Sequence, residues 1–400
     1  MEVSANVAQM QPSATLAVSA LAKKLASEGR DIVNLGAGEP DFDTPKHIAE
    51  AGVEAIRAGR TRYTQAPGTP ELRQAIARVL SAQAGRELPW QGVIVSNGAK
   101  QALFNACFSL FGPGDEVLIG TPYWTSYPEM VGLARATPVP VTGSESRDLK
   151  LTPEDLEAAS TERTRGFLFS SPGNPTGVVY TRDELQAIVE WARDRGVWVL
   201  SDEIYREIYF GEGGEAPGIL DMPEESLGPY VLFDGASKSF AMTGWRIGYS
   251  YCDSATAKTF GSFQSHTTSN ASTPSQYAAL AAYTQWDETQ AAVAEMRTAF
   301  RRRRDRVCQL FSEKLPELPY LKPEGAFYLF VRVDSLFEPG REDAKSLCSW
   351  ILEEAGVALV PGDAFGDPRY VRLSYATSDD LVEEAVSRMA GLLAGTSSTP

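Results

Sequence analysis

The chain has 400 residues and a formal net charge of −15, which excludes nucleic acid or an anionic membrane as its main partner but allows a locally positive site for small anions. Hydrophobic residues make up 43% and charged residues 22%, the composition of a globular protein large enough for one big unit and a smaller one. Four cysteines without paired spacing, two histidines, no secretory leader and no apolar run of membrane length exclude a disulfide framework, a zinc centre, a His-based triad and a membrane span, and predict a cytoplasmic protein.

Between residues 93 and 252 short apolar runs alternate with amphipathic stretches. Val93-Ile94-Val95, Glu116 to Ile119, Thr137-Pro138-Val139, Gly166 to Phe169, Val197 to Leu200, Val231-Leu232-Phe233 and Ile247-Gly248-Tyr249 read as strands. Lys100 to Phe111, Ser126 to Ala136 and Arg182 to Arg195 read as the helices between them. This alternation predicts a mostly parallel sheet covered on both faces, with ligands at the carboxyl ends of its strands. Thr289 to Leu315 reads as one long helix, and its Arg301-Arg302-Arg303-Arg304 run as a solvated face. Beyond it, strands at 326–330, 357–360 and 370–373 and helices at 344–355 and 378–393 predict a smaller α+β domain. The segment up to Pro45 is expected to pack on that domain, and 395–400 to form a disordered tail. The expected division is a large domain over 46–290 and a small one made of 1–45 and 291–400.

Several strand ends carry chemistry. Ser96-Asn97-Gly98-Ala99-Lys100 joins a strand to a helix; it is either a plain turn or a backbone cradle for an anion at a helix N-terminus. Trp124, after Pro122-Tyr123, is either core filler or a stacking platform for a planar ring. In Ser170-Ser171-Pro172-Gly173-Asn174-Pro175-Thr176-Gly177, Asn174 is held out of helical geometry by the proline after it and could donate to a phenolate oxygen. Asp202 ends an apolar strand, where a carboxylate needs a cation such as a pyridinium nitrogen, and Tyr205 follows three residues later. Lys238 lies in Ser237-Lys238-Ser239-Phe240-Ala241-Met242-Thr243-Gly244-Trp245-Arg246. It is either a surface lysine or a desolvated amine able to form a Schiff base, with Ser237 and Arg246 placed to meet a phosphate. Arg372, inside an apolar strand, is either a structural ion pair or a carboxylate clamp, and Gly36-Ala37-Gly38 would let backbone approach the same ligand. Phosphate loop, stacker, Asn, Asp, Tyr, Lys and Arg in one chain together supply every part of a pyridoxal phosphate site.

From Pro12-Ser13-Ala14-Thr15 through Ala37-Gly38-Glu39-Pro40, Gly98-Ala99-Lys100, Pro122-Tyr123-Trp124, Asn174-Pro175-Thr176-Gly177, Ser201-Asp202-Glu203-Ile204-Tyr205 and Ala241 to Tyr249 to Val371-Arg372-Leu373-Ser374-Tyr375, the chain resembles the class I aminotransferases of fold-type I. It resembles the one-beta subgroup of bacterial aspartate aminotransferases, over nearly all of residues 12–393. The resemblance implies an α/β fold with a seven-stranded, mostly parallel sheet and pyridoxal 5′-phosphate as cofactor. It implies Lys238 as the Schiff-base lysine and proton carrier, Asp202 on the ring nitrogen, Asn174 and Tyr205 on O3′, and Trp124 on the ring face. Gly98, Ala99, Ser237 and Arg246 would bind phosphate. Tyr63 would reach the phosphate of a neighbouring subunit, so a homodimer is implied. Gly38 and Arg372 would take the substrate α-carboxylate, and Lys100 the distal one, with hydroxyls near Ser13 and Thr15. Cis peptides are implied before Pro122 and Pro175. Lys100 favours aspartate, glutamate and their oxo-acids; prephenate, aromatic, alanine or kynurenine specificity is the alternative, and Gln11 departs from the basic residue that many prephenate-using relatives carry.

Overall fold

The computed structural model describes residues 3–8 and 10–396. In the N-terminal segment the helix Ala14–Ser27 precedes β1 (Val33–Asn34). Then come β2 (Val93–Ser96), β3 (Glu116–Thr121), β4 (Thr137–Thr142), β5 (Thr164–Ser170), β6 (Trp198–Asp202), β7 (Tyr230–Gly235) and β8 (Gly248–Tyr251). These seven form one sheet in the order β2-β8-β7-β6-β5-β3-β4, parallel except for β8, which runs against both its neighbours. Pro138 and Pro140, which lack an N–H for a ladder, lie on the edge strand β4.

The continuous apolar runs reflect burial on both faces. Val93, Val95, Leu118, Phe167, Phe169, Val199 and Leu232 point into one core. Their alternates Ile94, Val117, Ile119, Leu168, Leu200, Val231 and Phe233 point into another. Local signals fix the covering helices. Thr181 caps Arg182–Arg195 in a reciprocal capping box with Glu184, and Gly196, at φ 66°, ends it. That helix has the bounds expected from sequence, whereas the one expected over 126–136 ends at Leu133.

C-terminal to the long helix Trp286–Lys314 lie β9 (Tyr320–Leu321), β10 (Tyr328–Arg332), β11 (Val357–Ala358), β12 (Val360–Pro361) and β13 (Tyr370–Ser374). An antiparallel sheet has the order β12-β13-β10-β9, and β11 pairs in parallel with β1. The single strand expected over 357–360 is therefore two, in different sheets. The N-terminal segment does pack here: Ala22 shares a buried cluster with Leu352 and Ala358. The last helix, Asp379–Thr396, continues past the expected start of the tail, and 397–400 lie outside the described residues.

The arginine run departs from its reading by half: Arg301 and Arg302 are exposed as expected, but the other two are not. Arg303 and Arg304 are each only 8% exposed; they share the inner helix face with Phe300 and Val307 at helical spacing. Arg303 is anchored by a two-pronged bond to Asp41, at 2.7 and 2.8 Å. The peptides before Pro122, Pro172 and Pro175 are cis. Among the described residues, no helix is long and apolar enough to cross a membrane, and all four cysteines are free.

Candidate active site

The parallel strands of the large sheet end on one side, and there a cavity of about 460 Å³ opens. Lys238 enters it from the short helix Ala236–Ser239 that follows β7. Its Nζ donates to the carbonyl of Gly38 at 2.6 Å. Burial pushes the amine down to about 8; the charges of Arg246 and Arg372 act in the same direction, and those of Glu39 and Asp202 oppose it. The result is a lysine that supplies a neutral, nucleophilic amine close to physiological pH.

Asp202 ends β6 at 4% exposure. Tyr127 donates its hydroxyl to Oδ2 at 2.7 Å, and the Ile204 N–H approaches Oδ1 at 3.3 Å. Among the described residues no cation pairs with this carboxylate, and burial pushes it up to about 6. Tyr127 begins the helix Tyr127–Leu133, and its ring stands at 84° to Trp124, with centroids 5.6 Å apart. Behind them the Tyr205 and Tyr328 hydroxyls meet at 2.7 Å. Burial holds Tyr205 well above the ordinary tyrosine value and raises Tyr328 as well, so both hydroxyls stay protonated; one donates to the other, and the second keeps its proton for a ligand.

On the β2 side, the helix Ala99–Leu110 points its N-terminus at the cavity from Gly98, at φ 84°. A side chain on Gly98 would meet Arg246 Nη2 at 2.5 Å, and one on Gly248 would meet the Ala99 nitrogen at 2.1 Å. Only glycines let guanidinium, strand and helix end converge there. Arg246 is steered by the carbonyls of Thr243, at 2.8 Å, and Asn97, at 3.2 Å. Ser237 lines the same end. The arrangement offers backbone N–H groups, a hydroxyl and a guanidinium to an anion.

Arg372, 2% exposed, donates to Asn174 Oδ1 and to the Gly36 carbonyl, each at 2.9 Å. It lies over the Tyr328 ring at 4.3 Å, and its Nε has no acceptor among the described residues. Lys100 stands over the Trp124 ring at 4.8 Å; desolvation, and next the charge of Arg246, hold it below its ordinary value. The hydroxyls of Ser13 and Thr15 meet at 3.0 Å and also line the cavity. The walls carry five cations, Lys23, Lys100, Lys238, Arg246 and Arg372, against two carboxylates, Glu39 and Asp202, so this acidic chain has a cavity built for anions.

Of the residues singled out in the sequence, Gly98 stands behind the lining, next to Arg246. Tyr63 is 90% exposed and outside the cavity of its own subunit; the others named above line it. Sequence reasoning missed Tyr127 and Tyr328. Tyr127 opens its helix three residues after Trp124, a weak signal; Tyr328 reaches Arg372 through the pairing of β10 with β13, and no local pattern specifies that register. Among the described residues, no cluster of His, Cys, Asp or Glu could hold a metal ion.

A family model for aminotransferases of class I and II matches residues 30–389. The chain is 44% identical to an aspartate aminotransferase of Streptomyces avermitilis, covering 98% of this chain and 96% of the relative. It is 42% identical to an aspartate/prephenate aminotransferase of Cereibacter sphaeroides, covering 99% of each. Among solved structures, an aspartate aminotransferase from Thermus thermophilus with maleate superposes with a TM-score of 0.91 at 39% identity, covering 98% of this chain and all of that one. With a match across most of its length and relatives above 40% identity, the chain belongs to the aminotransferases of class I and II.

Proposed function

We propose that the protein is a pyridoxal 5′-phosphate-dependent aspartate aminotransferase, moving the amino group of L-aspartate to 2-oxoglutarate to give oxaloacetate and L-glutamate by a ping-pong route. The observation that carries the reading is the meeting, in one cavity, of a depressed lysine amine, a buried carboxylate lacking a cation and an arginine clamp. Those residues fit the cofactor. Asp202 would hold the ring nitrogen, Trp124 the ring face, and Asn174 and Tyr205 the phenolic oxygen; Gly98, Ala99, Ser237 and Arg246 would hold the phosphate. When bound, the group supplies an aldehyde that captures amines and a ring that accepts the electron pair released at the substrate Cα.

The rest is the work of this chain's side chains. Arg372 and the Gly38 backbone orient the α-carboxylate, with Lys100 and the hydroxyls of Ser13 and Thr15 on the distal one. The Lys238 Nζ, neutral above about pH 8, takes the α-proton and returns it. A division into a large domain over 46–290 and a small one of 1–45 and 291–400 is supported by their largely separate buried cores, and closure between them would exclude water. The same reading includes a cytoplasmic location, which suits the free cysteines, and a homodimer in which Tyr63 serves the neighbouring site.

The test is the visible spectrum of the cofactor-loaded protein. Bleaching by L-aspartate and L-glutamate, reversed by 2-oxoglutarate, is expected. Bleaching only by alanine or aromatic amino acids would keep Lys238 but overturn the role of Lys100; a loaded protein with no visible band would overturn the whole reading. A second reading, a range extending to prephenate, is favoured by relatives named for both substrates, and prephenate as acceptor in the same assay decides it.

A further inference from the structure

The cavity wall holds one cation more than this reaction uses. Arg246 is assigned to phosphate, Arg372 to the α-carboxylate, Lys238 to the amine and Lys100 to a short distal carboxylate; Lys23 remains. Thr15, Ser19 and Lys23 stand four residues apart on the helix Ala14–Ser27 and line the cavity together, so they share one helix face. Lys24, which is not in the lining, pairs with Glu28 at 3.8 Å. Lys23 has no ion pair among the described residues. The Ser19 hydroxyl likewise has no partner there. Asn34 commits its Oδ1 to the Gly36 N–H at 2.9 Å, which leaves its Nδ2 as a donor on the same wall. An ammonium, a hydroxyl and an amide N–H without acceptors complement a single carboxylate. Lys23 starts about 12 Å farther along the helix axis than Thr15, and helical side chains lean toward the N-terminus. Lys23 is exposed, so its ammonium is free to lean back over Ser19 toward Thr15.

We propose that Lys23, Ser19 and Asn34 form a second distal-carboxylate subsite, by which the enzyme accepts amino and 2-oxo diacids longer than glutamate and 2-oxoglutarate. The proposal rests on the aminotransferase reading of the cavity. The test is calorimetric binding of straight-chain diacids, succinate, glutarate, adipate and pimelate, to the cofactor-loaded dimer, comparing wild type with Lys23→Gln, Lys23→Glu and Lys23→Arg. Loss of the charge is expected to weaken adipate and pimelate about tenfold, the scale of one hydrogen bond to a charged group. Succinate should change less than about twofold on the same scale; Lys23→Glu should weaken the long acids further, and Lys23→Arg should retain them. Equal weakening at every chain length, unchanged binding of the long acids in Lys23→Gln, or a wild type that binds succinate but not adipate or pimelate would overturn the subsite alone. A loaded wild type that binds none of the four would overturn the underlying reading of the cavity, and the subsite with it.

Discussion

Asp202 shows how a functional group is held at a cost to the fold. It is almost fully buried, its Oδ2 rests on the Tyr127 hydroxyl, and burial lifts it from an ordinary 3.8 to about 6. Because the folded value is the higher one, the unfolded chain loses this proton first as pH rises. Stability therefore falls across the window from about 4 to about 6, and the penalty persists above it. A shift of that size is worth on the order of 3 kcal/mol. Asp202→Asn keeps an acceptor for Tyr127 and removes the charge. Without cofactor, the variant is expected to melt higher than wild type at pH 7.5, with the difference shrinking toward pH 4. In cofactor titrations followed by tryptophan fluorescence the order should reverse, because the ring nitrogen that Asp202 is proposed to hold would have lost its counter-charge. Tyr127→Phe should act in the opposite sense, raising the Asp202 value further so that cofactor affinity begins to fall at a higher pH than in wild type. Identical melting of wild type and Asp202→Asn from pH 4 to 7.5 would refute the unpaired-charge account.

At the scale of elements, β8 is the informative strand. It runs against its neighbours and passes so close beneath the helix Ala99–Leu110 that a Cβ on Gly248 would stand 2.1 Å from the Ala99 nitrogen and 2.5 Å from the Gly98 carbonyl carbon. Backbone cannot yield as a flexible side chain can, so Gly248→Ala should cost about 1–3 kcal/mol, the usual price of overpacking. It should also push outward the turn at Gly98 and Ala99 that is proposed to hold the cofactor's phosphate. Denaturant midpoints and cofactor affinity measure the two effects separately, and wild-type values for both would refute the close-approach argument. Most of the sheet was legible in the sequence because strands buried on both faces read as unbroken apolar runs, and because capping residues such as Thr181 and Gly196 mark helix ends locally. Two readings failed for want of long-range information. Four successive arginines look solvated, yet Arg303 finds Asp41 from 262 residues away. The apolar run 357–360 looks like one strand, yet Ala358 pairs with Asn34 and Val360 with Arg372. The same limit hid Tyr127 and Tyr328, whose contacts depend on register and fold.

At the scale of the whole molecule, Tyr63 offers the test of the proposed homodimer. It lies in the connection between the helices Lys46–Arg57 and Pro70–Ala84, 90% exposed and away from its own cavity. Ile56, on the first of those helices, is 58% exposed. In the proposed homodimer a second copy of the chain would cover both side chains. If Tyr63 completes the partner's site, two defects can compensate when carried by different subunits. A dimer with Lys238→Ala in one subunit and Tyr63→Ala in the other has one site with both defects and one with neither. Random reassortment of the two variants makes about half of the dimers mixed. After unfolding and co-refolding, the mixture should therefore transaminate faster than the sum of the two variants refolded apart. If Tyr63 instead served its own subunit, both sites of a mixed dimer would carry one defect each and no gain would appear. The comparison uses matched proteins throughout, so it separates a residue shared across an interface from one whose loss only weakens the fold.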